Sequence, residues 1–158
     1  MATKKVRAIP EGHHTVTPNL CVDGADRAIA WYRKAMNAEP ISRAATPEGK
    51  VMHAEVMIGD SRINLHDPLM GGKDPKALGG SPASLFVYVE DCDAAFDQAV
   101  RAGATVRMPM GDQFWGDRMG GFTDPFGYDW MIATHEEDLT PEELQRRQEE
   151  FYRRMGKP

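Results

Sequence analysis

Two cysteines in 158 residues, Cys21 and Cys92, are too few for a disulfide framework and too far apart for a CxxC metal motif. Both read as thiols outside any disulfide. No stretch approaches the roughly 18 consecutive apolar residues that a bilayer span requires, so a membrane protein is not expected. The first residues carry Lys4, Lys5 and Arg7, but no apolar segment follows them. A secretory signal is therefore unsupported, and the cytoplasm is the expected location. Positive charge is in the minority, 19 Lys and Arg against 24 Asp and Glu for a net charge of -5. With no basic stripe interleaved with aromatics, nucleic acid is not an expected partner. A small molecule is, with cations mildly favoured by the net charge.

What remains is ordinary for a water-soluble domain: 41% hydrophobic and 27% charged residues. The length suits one globular unit with a substantial core, or two small intimate modules, rather than two independent enzymes.

The most informative pattern is a repeat. The segments beginning at Val22-Asp23-Gly24 and at Val89-Glu90-Asp91 each end an apolar run, turn on acidic or glycine residues, and open an amphipathic stretch. Downstream, Ile58-Gly59-Asp60 and Phe126-Gly127-Tyr128 repeat the spacing with a turn before a further short apolar segment. A long period occurring only twice argues against a solenoid and for a pseudo-symmetric pair with a cleft between its halves, a common ligand site.

Module one spans about 13–67. A strand over 14–22 has its start weakened by Pro18, a helix over 25–36 places Ala28, Ile29, Tyr32, Ala35 and Met36 on one face, and Asn37 suits its C-terminal cap. Residues 39–45 supply a second strand, 50–58 a third, and 61–66 a fourth across the Gly59-Asp60 turn. Residues 68–83, rich in glycine and proline, read as an irregular linker. Module two, 84–135, replays the order: strand 84–89, helix 92–102 ended by Gly103, strands 104–108 and near 114–123, the turn at Asp124-Pro125-Phe126-Gly127, and strand 128–134. Beyond it, Thr140, Pro141 and Glu143 form a capping box for a helix within 140–156. Its apolar residues, Leu144, Phe151 and Met155, are few, so it packs on the surface or on a partner chain. Open sheet edges and this helix together point to a homodimer.

Alternation along each strand sorts its faces. Met52, Ala54, Val56 and Ile58 share one face of the third strand, with His53 and Glu55 opposite. Ile63 and Leu65 oppose Arg62, Asn64 and His66; Leu85, Val87 and Val89 oppose Ser84, Phe86 and Tyr88; Tyr128, Trp130 and Ile132 oppose Asp129, Met131 and Ala133. The second face is mixed. Either it meets solvent, as one face of an antiparallel sheet often does, or the sheets curl and it lines a pocket. The pocket set would be Thr17, Asn19, His53, Glu55, Asn64, His66, Ser84, Phe86 and Met131, an apolar–polar mixture typical of a binding site.

The paired β-α-β-β-β modules, the Val22-Asp23-Gly24 helix start and the Asp124-Pro125-Phe126-Gly127 turn resemble the vicinal oxygen chelate superfamily, which includes glyoxalase I, bleomycin-resistance proteins, fosfomycin-modifying enzymes and extradiol dioxygenases. His14 to Pro18, Val51 to Glu55, Gly111 to Arg118 and Ile132 to Asp138 resemble its PhnB-like branch more narrowly. The resemblance covers nearly the whole chain, 1–158 as a single domain. It implies an α+β fold of paired βαβββ modules, with curled mixed sheets round a cleft, plus the C-terminal helix. In metal-dependent members the first, fourth, fifth and eighth strands supply four ligands. Those positions fall here on Thr17, Asn64, Ser84 and Met131. None is a good ligand, because divalent metals want carboxylate or imidazole.

Two further features bear on chemistry. His53 and Glu55, two apart on one strand, are the candidate catalytic pair, and with His66 they offer a displaced metal or acid–base site. His66 and His135 end their strands in similar places, while His13 and His14 lie at a loose start with no specific use expected. Trp115 and Arg118, in a glycine-punctuated segment with Asp112 and Asp117, either clamp a planar or anionic ligand or serve structure, with Trp115 as packing between the modules and Asp117 and Arg118 as a salt bridge. The expectation is a metal-free, cofactor-free small-molecule-binding protein of the glyoxalase/bleomycin-resistance type. The alternative is a metal-dependent lyase, isomerase or dioxygenase using His53, Glu55 and His66 with a divalent metal. A role purely in protein interaction, through the C-terminal helix, is the third reading.

Overall fold

A computed structural model describes residues 6–156. The chain divides into two compact units, the first ending at Asp74 and the second beginning at Pro75.

In the first unit, β1 (Asn19–Cys21) leads into α1 (Ala25–Met36), followed by β2 (Glu39–Ala45), β3 (Val51–Ile58) and β4 (Ser61–His66). The sheet order is β1-β4-β3-β2, with β1 parallel to β4 and the other pairs antiparallel. One face buries Leu20, Val22, Ala54, Val56, Ile58, Ile63 and Leu65, and α1 contributes Ala25, Ala28, Tyr32 and Ala35 to the same core. The helix is stopped as the sequence indicates: Asn37 takes the left-handed conformation at φ 53°, and the Ala38 N–H reaches back to the Tyr32 carbonyl.

The second unit repeats the plan. After the four-residue α2 (Pro75–Leu78) come β5 (Ser84–Tyr88), α3 (Cys92–Arg101), β6 (Thr105–Asp112), β7 (Asp117–Thr123) and β8 (Asp129–His135), in sheet order β5-β8-β7-β6 with β5 parallel to β8. Phe96 of α3 packs edge-on to Phe122 with ring centres 6.2 Å apart, over a core of Trp130, Ile132 and Ala99. Two glycines make room: a Cβ at Gly120 would stand 2.9 Å from the Phe96 ring, and one at Gly121 would stand 2.7 Å from the Met131 sulfur. The α+β class, the doubled βαβββ module and the separate terminal helix α4 (Pro141–Met155) are thus all present.

Several expectations need correction. The strand expected from residue 14 is only Asn19–Cys21, since Pro18 has no N–H to give a ladder. The segment 68–83 is not wholly irregular, because α2 lies within it. The last three strands of module two are displaced: β6 runs on to Asp112, β7 starts only at Asp117, and β8 spans Asp129–His135. Met52 does not join the buried face of β3. The β2–β3 register steps from Ala44↔His53 to Ala45↔Val51, so Met52 is the extra residue of a bulge; it is exposed and Val51 is buried in its place. His66 and His135 are not equivalent by register either, since His66 pairs with Cys21, whereas the counterpart pairing in the second unit is Tyr88 with Ala133. Half of the capping box forms at α4: Thr140 Oγ1 accepts the Glu143 N–H, but the Glu143 carboxylate turns to Arg146 and Arg147, which hold its pKa down to about 2.

Candidate functional site

In the first unit, the face of the sheet turned from α1 carries a polar row. Asn64 on β4 pairs in register with Asn19 on β1 and with Glu55 on β3, so the three side chains share a side. Glu55 is a buried carboxylate, 7% exposed. A charge so placed needs partners. Arg62, two residues before Asn64 and on the same face, binds one of its oxygens, and His13 Nε2 lies 2.9 Å from the other. Arg62 Nε also donates to the Gly12 carbonyl at 2.9 Å, which ties the segment before β1 to this face. His13 therefore has a specific partner, contrary to the expectation for it. Its signal was indirect: an acidic residue in an apolar strand requires a counter-charge from somewhere. Thr17 is half-buried ahead of β1, and Asn64 Oδ1 is buried with no hydrogen-bond partner.

The proposed catalytic pair is divided by these contacts. Glu55 is held by His13 and Arg62, whereas His53 is exposed beside the bulge. His66 places Nδ1 2.9 Å from the Asp67 carbonyl. Among the described residues, no group of three His, Cys, Asp or Glu side chains is arranged to hold a metal ion.

In the second unit the corresponding face is aromatic. Phe86 pairs with Met131, and Tyr88 with Ala133; Met131 and Ala133 pair in turn with Gly121 and Met119, and Asp117 pairs with His135. Asp117, 4% exposed, collects three side chains: Tyr88 Oη donates to Oδ2 at 2.9 Å, Trp115 Nε1 donates to the same oxygen at 3.0 Å, and His135 Nδ1 lies 2.8 Å from Oδ1. Burial works to raise the Asp117 pKa, but the bonds from His135, Tyr88 and Trp115 outweigh it and hold the carboxyl below its usual range. The other His135 nitrogen is 2.9 Å from Asp138, and the two carboxylates, Asp138 before Asp117, raise the imidazole pKa. Phe86 and Tyr88 remain 48% and 61% exposed and Trp115 37%; the Phe86 and Tyr88 rings lie 5.0 Å apart.

Trp115 and Arg118 are not brought together as a clamp. Arg118 follows Asp117 on β7 and so turns to the opposite face, where Asp93 of α3 takes it in two bonds, at 2.7 and 2.8 Å, and Asp112 in one at 2.8 Å. Its guanidinium is thereby held strongly protonated. Ser84 pairs with Asp129 and is exposed, while Met131 has its sulfur against Gly121. Sequence reasoning missed Tyr88, Asp117 and His135 as a cluster, because their meeting depends on the start of β7, which the glycines around it concealed.

These modules have known relatives. Residues 12–132 match the Glyoxalase/Bleomycin resistance protein/Dioxygenase superfamily, and the chain belongs to that superfamily. It is 39% identical over 135 residues to the uncharacterized protein Rv0887c of Mycobacterium tuberculosis strain H37Rv, covering 82% of this chain and 79% of the relative. Among solved structures, TioX from Micromonospora sp. ML1 superposes with a TM-score of 0.60 at 25% identity, covering 81% of this chain and all of TioX. The PhnB protein from Bacillus cereus superposes at 0.59 with 20% identity, covering 77% and 99%.

The metal of the metal-dependent members does not fit the donors present. At the positions that the resemblance assigns to ligands, the first unit has a threonine hydroxyl and an amide, Thr17 and Asn64, and the second a serine hydroxyl and a thioether, Ser84 and Met131, and none of these groups suits zinc, iron or manganese. The carboxylate beside Asn64 is already committed to Arg62 and His13.

Proposed function

We propose that this protein binds a small organic molecule on the open faces of its sheets and does so without the four-ligand metal centre. The observation that carries the reading is the second unit's gathering of Tyr88, Trp115 and His135 on one buried carboxylate, with Phe86 alongside. A solvated sheet face has no use for three large aromatic surfaces held in fixed orientation, whereas a binding surface does. The first unit, by itself, has a polar counterpart on its own sheet face, where Asn64 Oδ1 is a buried acceptor that a ligand's N–H or O–H would satisfy. His53, Glu55 and His66 do not support an enzymatic reading, since Glu55 is neutralised by its own partners. The same proposal includes a homodimer and a cytoplasmic location; α4, with no buried residue, supplies the surface for the former.

The test is a fragment screen against 15N-labelled protein kept in excess chelator. Planar and apolar fragments are expected to shift the Trp115 indole and the β5 and β8 amides in a saturable way. Shifts confined to the helical faces, or none at all, would contradict the proposal.

A further inference from the structure

We propose that the aromatic cluster of the second unit recognises an organic cation, an ammonium group carried on an apolar body. This rests on the small-molecule reading above and supplies its ligand class.

The rings are held by their edges. Tyr88 Oη and Trp115 Nε1 converge on a single oxygen of Asp117, at 2.9 and 3.0 Å, which fixes both side chains at the carboxylate while much of their ring surface stays in solvent. Phe86 extends the surface, its ring tilted 44° to that of Tyr88. Donation to a carboxylate pushes electron density back into a phenol or an indole, so the negative potential over each ring face deepens. That face is where a cation is attracted. Asp117 already accepts three bonds, so it acts by polarising the rings and by its charge, not by contact with the ligand.

The surrounding charge has the matching sign. At the cluster stand two carboxylates, Asp117 and Asp138, against one imidazole, His135, which leaves a net negative field even with the imidazole protonated. Glu90, two residues beyond β5, and Glu136, directly after β8, are exposed and add negative charge near these strand ends. The nearby positive side chains are matched elsewhere: Arg147 by Glu137 and Glu143, and Arg118 by Asp93 and Asp112 on the other face of β7. An anionic ligand would meet repulsion here, and a neutral one would gain stacking without the field.

The experiment uses the full-length labelled protein and follows the Trp115 indole resonance, assigned with Trp115→Phe. Three probes of one shape are titrated: choline, the alcohol in which a tert-butyl group replaces its trimethylammonium group, and the matching tert-butyl carboxylate. Choline is expected to bind about tenfold more tightly than the uncharged alcohol, in line with a cation–π advantage at a partly desolvated site. Tyr88→Leu, followed at the indole, and Trp115→Leu, followed at the β5 and β8 amides, should each weaken choline several-fold, and Tyr88→Phe, which keeps the ring, should weaken it less. If Tyr88→Leu fails to fold, the three-probe comparison on the unaltered protein and Tyr88→Phe still decide. Equal affinity for alcohol and choline, or preference for the carboxylate, would overturn the cation inference while leaving small-molecule binding intact. No response to any probe, in a protein whose indole does respond to screened fragments, would overturn it likewise. Failure of the fragments as well would remove the underlying reading.

Discussion

Asp67 and Thr134 perform one task at equivalent points of the two modules, each lying at the end of a fourth strand and accepting a backbone N–H from the first turn of a helix. Asp67 Oδ1 takes the N–H groups of Gly24 and Ala25 at 2.9 and 3.0 Å, and its Oδ2 takes that of Val51 at 2.7 Å. Thr134 Oγ1 takes the Cys92 N–H at 3.0 Å and donates to the Val89 carbonyl at 2.9 Å. Both bonds pin a helix N-terminus, with its orphan donors, to the sheet beneath it. The two modules differ in how much depends on the bond. At α1 the N-cap is Gly24, with no side chain to offer, whereas at α3 the Asp91 carboxylate also accepts from Ala94.

The difference sets a stability order. Asp67→Ala strands the buried N–H groups of Ala25 and Val51 and the half-buried one of Gly24, and should destabilise the protein by about 3 kcal/mol. Thr134→Val, with Asp91 still in place, should cost about 1 kcal/mol. Urea unfolding checks both, and a larger loss for Thr134→Val would contradict the account. Burial works to raise the Asp67 pKa, but the N–H groups of Ala25, Val51 and Gly24 bring it below the usual carboxylate range. Its contribution is therefore present above about pH 4 and is lost as pH falls through the lowered pKa.

Trp115 is held at its edge by Asp117 and packs edge-on to Phe114 at 5.0 Å, with over a third of its surface exposed. Trp115→Ala should therefore cost about 1–2 kcal/mol in stability, mainly through the lost bond and contact, rather than the 3–5 kcal/mol of a core aromatic. A fragment that binds the unaltered protein should lose affinity by about 1–3 kcal/mol in the same variant. A large fall in melting temperature with unchanged affinity would make Trp115 a packing residue.

His135 bridges β8 and the segment that leads to α4, with Asp138 on one nitrogen and Asp117 on the other. Its pKa is raised, so the stability it supplies is fully present below about pH 6.5 and is lost as pH rises through the raised value. The stability gap between the unaltered protein and His135→Gln should be wider at pH 5.5 than at pH 8.5. NMR titration should place the imidazole midpoint above the ordinary histidine value and show it falling in Asp138→Asn. A gap independent of pH would contradict the bridge.

Among the exposed apolar side chains of α4, Leu144, Phe151 and Met155, Phe151 has its ring 5.1 Å from that of Phe114 and 5.7 Å from that of Tyr152. A homodimer that covers this helix should sediment at twice the 17.6 kDa chain mass at micromolar concentration and shift towards monomer in Leu144→Ser/Met155→Ser. A single species of chain mass would contradict it.

How far the sequence reaches is visible residue by residue. The repeat at Val22 and Val89, the cap at Asn37 and the second strand at 39–45 were legible because each rests on local chemistry: a turn, a left-handed residue, a proline-limited run. Met52 was not, since a bulge is a property of strand pairing and alternation counts straight through it. The polar row of Asn19, Glu55 and Asn64 could be read from alternation, but its partners His13 and Arg62 could not be told from bystanders, because their contacts close across about 40 and 7 residues of sequence. Asp117 looked like half of a salt bridge with Arg118. Adjacent residues on a strand point to opposite faces, and that rule, applied once β7 is known to begin at Asp117, separates the two.

The central claim, ligand binding on the open sheet faces without a metal centre, is tested most directly by adding metal. Chelator-stripped protein is titrated with zinc, manganese and nickel by calorimetry, and a screened fragment is then bound with and without each metal while the Trp115 indole and the Asn64 side-chain amide are followed. The account predicts no stoichiometric metal whose binding depends on Asn64 or Met131, and a fragment affinity that the metals leave unchanged. A one-to-one metal lost in Asn64→Ala or Met131→Ala, or a fragment that binds only once the metal is present, would contradict it.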